Sequence, residues 1–152
     1  MVKIMRCGDI CQRETIVVSR HENAGQVAKL MREKDVGTVI VVEGEVGVRR
    51  PIGILTDRDL VMEVMASDLD QACVSAEDLM EPDLLTCDEG DDLPETLKRM
   101  RERGVRRIPV VDGSGYLAGV LSVSDVMEVL AGEIMEVARL GSGQGSKVHC
   151  QH

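Results

Sequence analysis

Aromatic side chains are almost absent from this chain of 152 residues, which has no Trp, no Phe and a single Tyr, Tyr116. Its core must therefore be assembled from Val, Leu, Ile, Met and Ala, shapes suited to close packing of helices on a sheet. Single-stranded nucleic acid is disfavoured as a partner, because that mode of binding uses aromatic stacking platforms. Basic charge is also short: 18 Lys and Arg stand against 27 Asp and Glu, and a net charge of -9 repels a phosphate backbone. No apolar run approaches the roughly 18 residues of a membrane span, and the opening Met1 to Asp9 has no signal-peptide core. A cytoplasmic location without a membrane partner is expected. Cys7, Cys11, Cys73, Cys87 and Cys150 are odd in number and scattered, which argues against a disulfide scaffold. What is present, 43% hydrophobic and 30% charged residues, fits one globular domain or two very small ones packed together, and excludes disorder and collagen.

The chain repeats itself. A shift of 69 places lays Asp9, Ile10 and Cys11 on Asp78, Leu79 and Met80, Lys29 and Met31 on Lys98 and Met100, and Val41 and Val42 on Val110 and Val111. Three extra residues between Glu43 and Arg50 reduce the shift to 66, after which Gly53, Leu55, Thr56 and Asp59 fall on Gly119, Leu121, Ser122 and Asp125. Each copy has a helical turn (Gly8 to Cys11; Glu77 to Met80), then a brief β-run (Thr15 to Val18; Leu84 to Cys87). A helix follows, with Val27, Leu30 and Met31, or Leu93, Leu97 and Met100, on one face. Two strands (Thr38 to Val42 and Ile52 to Leu55; Ile108 to Val111 and Tyr116 to Leu121) and a last helix (Arg58 to Met65; Val123 to about Leu140) complete the unit. A unit of this size is marginal alone, because its small core scarcely exceeds the chain entropy opposing it. The expected product is an α/β fold of two βαββα-like repeats packed through their sheets with pseudo-two-fold symmetry and two equivalent clefts. The expected divisions are residues 1–72, 73–140 with an extended last helix, and a flexible Gly/Ser tail at 141–152.

The feature repeated most faithfully lies where the last strand meets the last helix: Gly53, Ile54, Leu55, Thr56, Asp57, Arg58, Asp59, and Gly119, Val120, Leu121, Ser122, Val123, Ser124, Asp125. A hydroxyl followed three places later by an acid is first a helix-capping pattern. Ser19 to Glu22 and Ser75 to Asp78 share the spacing at other helix starts, so capping alone would be enough to account for the pattern. Location adds a second use, because a helix start directly after a buried strand exposes backbone donors beside a hydroxyl and a carboxylate. Such a corner can hold a sugar phosphate. An Asp carboxylate can accept hydrogen bonds from both hydroxyls of a ribose. Arg58 could neutralise phosphate, while Ser124 stands in its place in the second copy, so the clefts are not expected to bind equally.

With these motifs the sequence resembles a stand-alone tandem pair of cystathionine-β-synthase (CBS) domains from about Cys7 to Leu130. The resemblance rests on Asp78, Leu79, Met80, on the run from Gly104 through Arg106, Arg107, Ile108, Pro109 to Gly113, and on both junction motifs. The first copy departs from it, carrying Asp35 to Ile40 where the family usually has a more basic, Pro-containing run. The resemblance implies adenosine-containing ligands such as AMP, ADP, ATP, S-adenosylmethionine or NAD in clefts between the domains. Asp59 and Asp125 would hold ribose hydroxyls, assisted by Thr56 and Ser122. Ile16, Leu85, Thr38 and Ile108 would wall the adenine, and Arg58, Arg106 and Arg107 are candidate phosphate partners. It also implies a homodimer in which two pairs form a flat disc.

The reading that follows is a regulatory module, not an enzyme and requiring no cofactor, that senses an adenine nucleotide or S-adenosylmethionine and signals to an effector protein. The last helix offers Val126, Leu130, Ile134 and Val137 as a contact face. Two rivals remain: a structural dimerisation module that binds nothing, and a thiol or metal sensor using Cys7, Cys11 and the tail residues His149, Cys150 and His152. Met80 replaces Cys11 in the second copy, which an apolar packing role explains better than a metal. The tail offers no rigid scaffold for ligand geometry.

Overall fold

The computed structural model describes residues 5–143. The first repeat runs α1 (Cys7–Ile10), β1 (Val17–Ser19), α2 (Ala24–Lys34), β2 (Thr38–Glu43), β3 (Arg50–Thr56) and α3 (Asp57–Asp59), which continues into a π-helical stretch (Leu60–Met65). The second runs α4 (Ala76–Leu79), β4 (Cys87–Asp88), α5 (Leu93–Arg103), β5 (Arg107–Val111), β6 (Leu117–Ser122) and α6 (Val123–Ser142). Helices α2 and α5 start and stop at the same places in the repeat. Their ends are set differently: Asn23 and Gln26 form a capping box on α2, whereas α5 begins with Pro94 in its first turn. Both end on a left-handed residue, Asp35 at φ 53° in the first repeat and Gly104 at φ 67° in the second.

Each repeat forms its own three-stranded sheet, β1-β2-β3 or β4-β5-β6, with the first pair parallel and the second antiparallel. Even the register shift recurs, between Val41 and Val42 and between Val110 and Val111. The expected strands are all present. The brief β-runs are shifted toward Ser19 and Asp88, because only there does β1 or β4 find its parallel partner. α6 continues through Ser142, two residues into the segment expected to be a flexible tail, and residues 144–152 lie outside the described residues.

The opening helices are exchanged between the repeats. Cys7, Ile10 and Cys11 of the first repeat are buried with Cys87, Leu93, Met100, Ile108 and Leu121 of the second. Reciprocally, Ala76, Leu79 and Met80 of the second pack with Val18, Val27, Val39 and Leu55 of the first. The two junction glycines make this possible. A Cβ at Gly119 would lie 2.7 Å from the Gln12 carbonyl oxygen and 2.8 Å from Cys11 Sγ, and one at Gly53 would lie 2.7 Å from both Cβ and Sδ of Met80. Backbone bonds secure the first exchange, with Gln12 and Val120 donating to each other's carbonyls at 2.9 Å. Buried Thr96 is satisfied by Cys7, whose Sγ lies 3.3 Å from its hydroxyl.

Candidate functional site

Both junction motifs act as capping boxes. In the first, Thr56 Oγ1 accepts from the Asp59 N–H at 3.2 Å while Asp59 Oδ2 accepts from the Thr56 N–H at 2.8 Å. In the second, Ser122 Oγ accepts from the Asp125 N–H at 3.1 Å, and Asp125 Oδ2 accepts from the Ser122 N–H at 3.1 Å and its hydroxyl at 2.6 Å. One oxygen of each carboxylate is therefore committed to its helix. In the second motif the other is taken as well, since Gln12 Nε2 donates to Asp125 Oδ1 at 3.1 Å.

Each corner opens into a cleft whose opposite wall comes from the other repeat. Asp125 and Ser122 face Ile16, Thr38 and Ile40 across a cavity of about 320 Å³. Asp59 and Thr56 face Leu85, Val105 and Ile108 across a cavity of about 450 Å³. Both volumes fall within the usual size of small-molecule sites. Thr38 and Arg107 are equivalent positions of the two repeats and meet between the clefts, where Arg107 Nη1 donates to Thr38 Oγ1 at 2.9 Å. Arg107 lines both cavities, and Arg106 lines only the one at Asp59.

Thr56, Asp59, Leu85, Arg106, Arg107 and Ile108 are thus brought together in one cleft, and Ile16, Thr38, Ser122, Asp125 and Arg107 in the other. Three expected residues stand apart. Arg58 and Ser124 are exposed on α3 and α6 and line neither cavity, and Pro109 is buried inside β5. Both are the second residue of their helix, which turns away from the corner, whereas the third, Asp59 or Asp125, folds back onto it; spacing alone did not reveal this. Neither Arg106 nor Arg107 pairs with the acidic run from Asp88 to Asp92; Arg13 takes Glu89 and Arg99 takes Asp91. Tyr116 lies outside both clefts, with the Arg50 guanidinium 4.9 Å from its ring centre, so the apolar walls of the clefts are aliphatic.

Sequence reasoning missed Gln12 and Glu14 in one cleft and their equivalents Glu81 and Asp83 in the other, along with Arg103. These acids and amides lie between the opening helix and the first strand. The repeat alignment pairs them, yet only the exchange of α1 and α4 carries them to the opposite corner. Asp83 is held by Arg103, whose Nη2 lies 3.2 Å from its carboxylate and donates to its carbonyl at 2.6 Å.

This architecture is that of a known family. The CBS domain model matches residues 7–66 and 76–132, and the chain belongs to the CBS domain family as a tandem pair. Among characterised relatives, hypoxic response protein 1 of Mycobacterium tuberculosis is 31% identical over 78% of this chain and 80% of its own length. An uncharacterised protein of Methanopyrus kandleri is 35% identical over 80% of this chain, which spans 61% of that relative. The crystal structure of the hypoxic response protein, which holds two coordinated zinc ions, superposes with a TM-score of 0.71 at 30% identity, covering 82% of this chain and 98% of that one. Two further structures share the fold. A CBS domain pair in complex with 5′-methylthioadenosine and S-adenosyl-L-methionine matches at TM-score 0.71 and 20% identity over 86% of this chain and 98% of its own. A Pyrobaculum aerophilum CBS protein complexed with AMP matches at 0.69 and 23% over 80% and 89%.

Proposed function

We propose that this protein is a regulatory module that binds an adenosyl ligand between its two repeats and passes occupancy to a partner protein. The observation that carries the reading is the composition of each cleft: a capping hydroxyl and carboxylate from one repeat stand opposite an aliphatic wall from the other. A ligand bridging the two couples their relative position to occupancy, which is what a sensor needs. Asp59 and Asp125 receive ribose hydroxyls, Thr56 and Ser122 assist, and Leu85 with Ile108, or Ile16 with Thr38, enclose the base. Arg106 and Arg107 are the phosphate partners. Arg58 lines neither cavity and is left out of that role. Fold relatives that hold AMP, 5′-methylthioadenosine and S-adenosyl-L-methionine support the same class of ligand.

The module acts as a homodimer. Val61, Met62 and Met65 beside α3 and Leu130, Ile134 and Val137 on α6 are exposed apolar side chains on equivalent helices, Met65 at 70% and Ile134 at 68%. Val126, expected on that face, is instead buried in the second core at 5%. Met65→Glu together with Ile134→Glu is expected to convert the dimer to monomer in analytical ultracentrifugation. A metal-sensing reading gains nothing from the described residues, among which no three His, Cys, Asp or Glu side chains converge; His149, Cys150 and His152 lie outside them. Among the described residues no helix is long and apolar enough to cross a membrane.

Isothermal titration with AMP, ATP and S-adenosylmethionine tests the sensor reading. Saturable binding is expected, weakened by Asp59→Ala or Asp125→Ala. The absence of heat and of any thermal shift with all three at millimolar concentration would overturn it in favour of a ligand-free dimerisation module.

A further inference from the structure

The two clefts differ in the charge they present, and the difference lies in the walls exchanged between repeats. At the Asp125 cleft one arginine, Arg107, stands against two carboxylates, Glu14 and Asp125. That arginine is shared with the other cleft, and one of its N–H groups donates to Thr38. At the Asp59 cleft three arginines, Arg103, Arg106 and Arg107, stand against Asp59, Glu81 and Asp83, and Arg103 neutralises Asp83. The equivalents explain why only one cleft is so equipped. Arg106 corresponds to Gly37, which has no side chain, and Arg103 corresponds to Lys34, which pairs with Glu33 at 3.5 Å and lies outside the cleft. Glu14 thus has no counterpart of the cation that offsets Asp83. Between a ligand's phosphate and an uncompensated carboxylate the interaction is repulsive, and a partly enclosed cleft screens it less than open water does.

We infer that the two clefts take adenosyl ligands of different charge: the Asp59 cleft a 5′-phosphorylated adenosine, the Asp125 cleft an adenosine whose 5′ substituent is neutral or cationic, such as a thioether or sulfonium. This rests on the adenosyl-ligand reading above. It makes the module a comparator of two ligands, because Arg107 lines both clefts and a ligand that draws it into one changes the wall of the other.

AMP and 5′-methylthioadenosine are the probes, titrated separately and together into the full chain and into Asp59→Asn, Asp125→Asn and Arg106→Gln. The Asn variants keep a capping oxygen, and Arg106 is exposed, so its replacement leaves the core intact. Asp59→Asn and Arg106→Gln are each expected to raise the Kd of AMP at least tenfold and leave that of 5′-methylthioadenosine within twofold, with Asp125→Asn doing the reverse. The unmodified chain is expected to bind one equivalent of each simultaneously. Mutual displacement of the two probes, or loss of both through the same Asp variant, would overturn the inference while leaving the adenosyl reading in place. Failure of the unmodified chain to bind either probe would overturn both.

Discussion

The two repeats follow the same order of elements and differ in the last helix and in how the segment after each opening helix is tied to its neighbour's sheet. In the second repeat β6 receives the segment after α1: Gln12 bridges to Val120 through two 2.9 Å backbone bonds, and its side chain caps Asp125. The equivalent Glu81 makes no such bridge to β3 among the described residues. At the glycine contacts a methyl on Gly119 would meet the Gln12 carbonyl that the bridge holds, together with Cys11 Sγ, whereas one on Gly53 would meet Met80 Cβ and Sδ in a segment without such a bridge. Near-identical local structure therefore supports one cleft of about 320 Å³ that is pinned beside Asp125 and another, at Asp59, of about 450 Å³ that lacks the bridge. The likeness belongs to the order and pairing of the elements, and the asymmetry to the segments that cross between repeats.

The largest expected effect comes from the glycines. Gly119→Ala presses a methyl group on the Gln12 carbonyl, which cannot move without breaking the bridge to Val120, and is expected to cost about 3 kcal/mol, against about 1 to 2 kcal/mol for Gly53→Ala. Urea unfolding of the two variants measures the gap; equal losses would show that both exchanges are equally tight. Next in size are the caps. Asp125→Ala removes bonds to Ser122 and Gln12 and is expected to destabilise by about 1.5 kcal/mol, and Asp59→Ala, bonded to Thr56 alone, by about 1 kcal/mol in the same assay.

Smaller still is the left-handed position that ends α2. Asp35→Gly gives the first repeat the residue its equivalent Gly104 already has, and is expected to stabilise by roughly 0.5 kcal/mol, relief of the φ 53° strain slightly outweighing the added entropy of the unfolded chain. A drop in the urea midpoint would contradict it. The smallest effect concerns the opening helices. The Ser75 N–H and hydroxyl hold the exposed Asp78 carboxyl below its ordinary value of 3.8, whereas α1 has Arg6 at the capping position. A carboxyl lowered in the folded state contributes stability that is present above its unfolded value and fades as pH falls through the lower folded one. Asp78→Asn is expected to flatten the loss of thermal stability below about pH 4, by an amount smaller than any above.

The sequence alone made the repeat, the order of elements and both capping corners readable, because these rest on local periodicity and on residues three apart. The β-runs were displaced by one to three residues because a strand of two or three residues is bounded by its partner, not by its own composition. The π-helical stretch from Leu60 to Met65 had no signal beyond that of a helix; it keeps Leu60 and Val64 buried and turns Val61 and Met65 outward. Arg58 and Ser124 looked like site residues because they sit inside the motif, and the helix points them away from the clefts.

What the sequence by itself determined is therefore the pair of corners: Thr56 with Asp59 and Ser122 with Asp125, each at the end of a buried strand and the start of a helix. Only the tertiary structure decided what each corner faces. Because α1 and α4 bury their apolar faces in the opposite repeat's core, Glu14 and Gln12 are carried to Asp125, and Glu81, Asp83 and Arg103 are found at Asp59. Such exchange leaves no local mark, since an apolar face packs equally well on either of two similar cores until the junction glycine beneath it makes room.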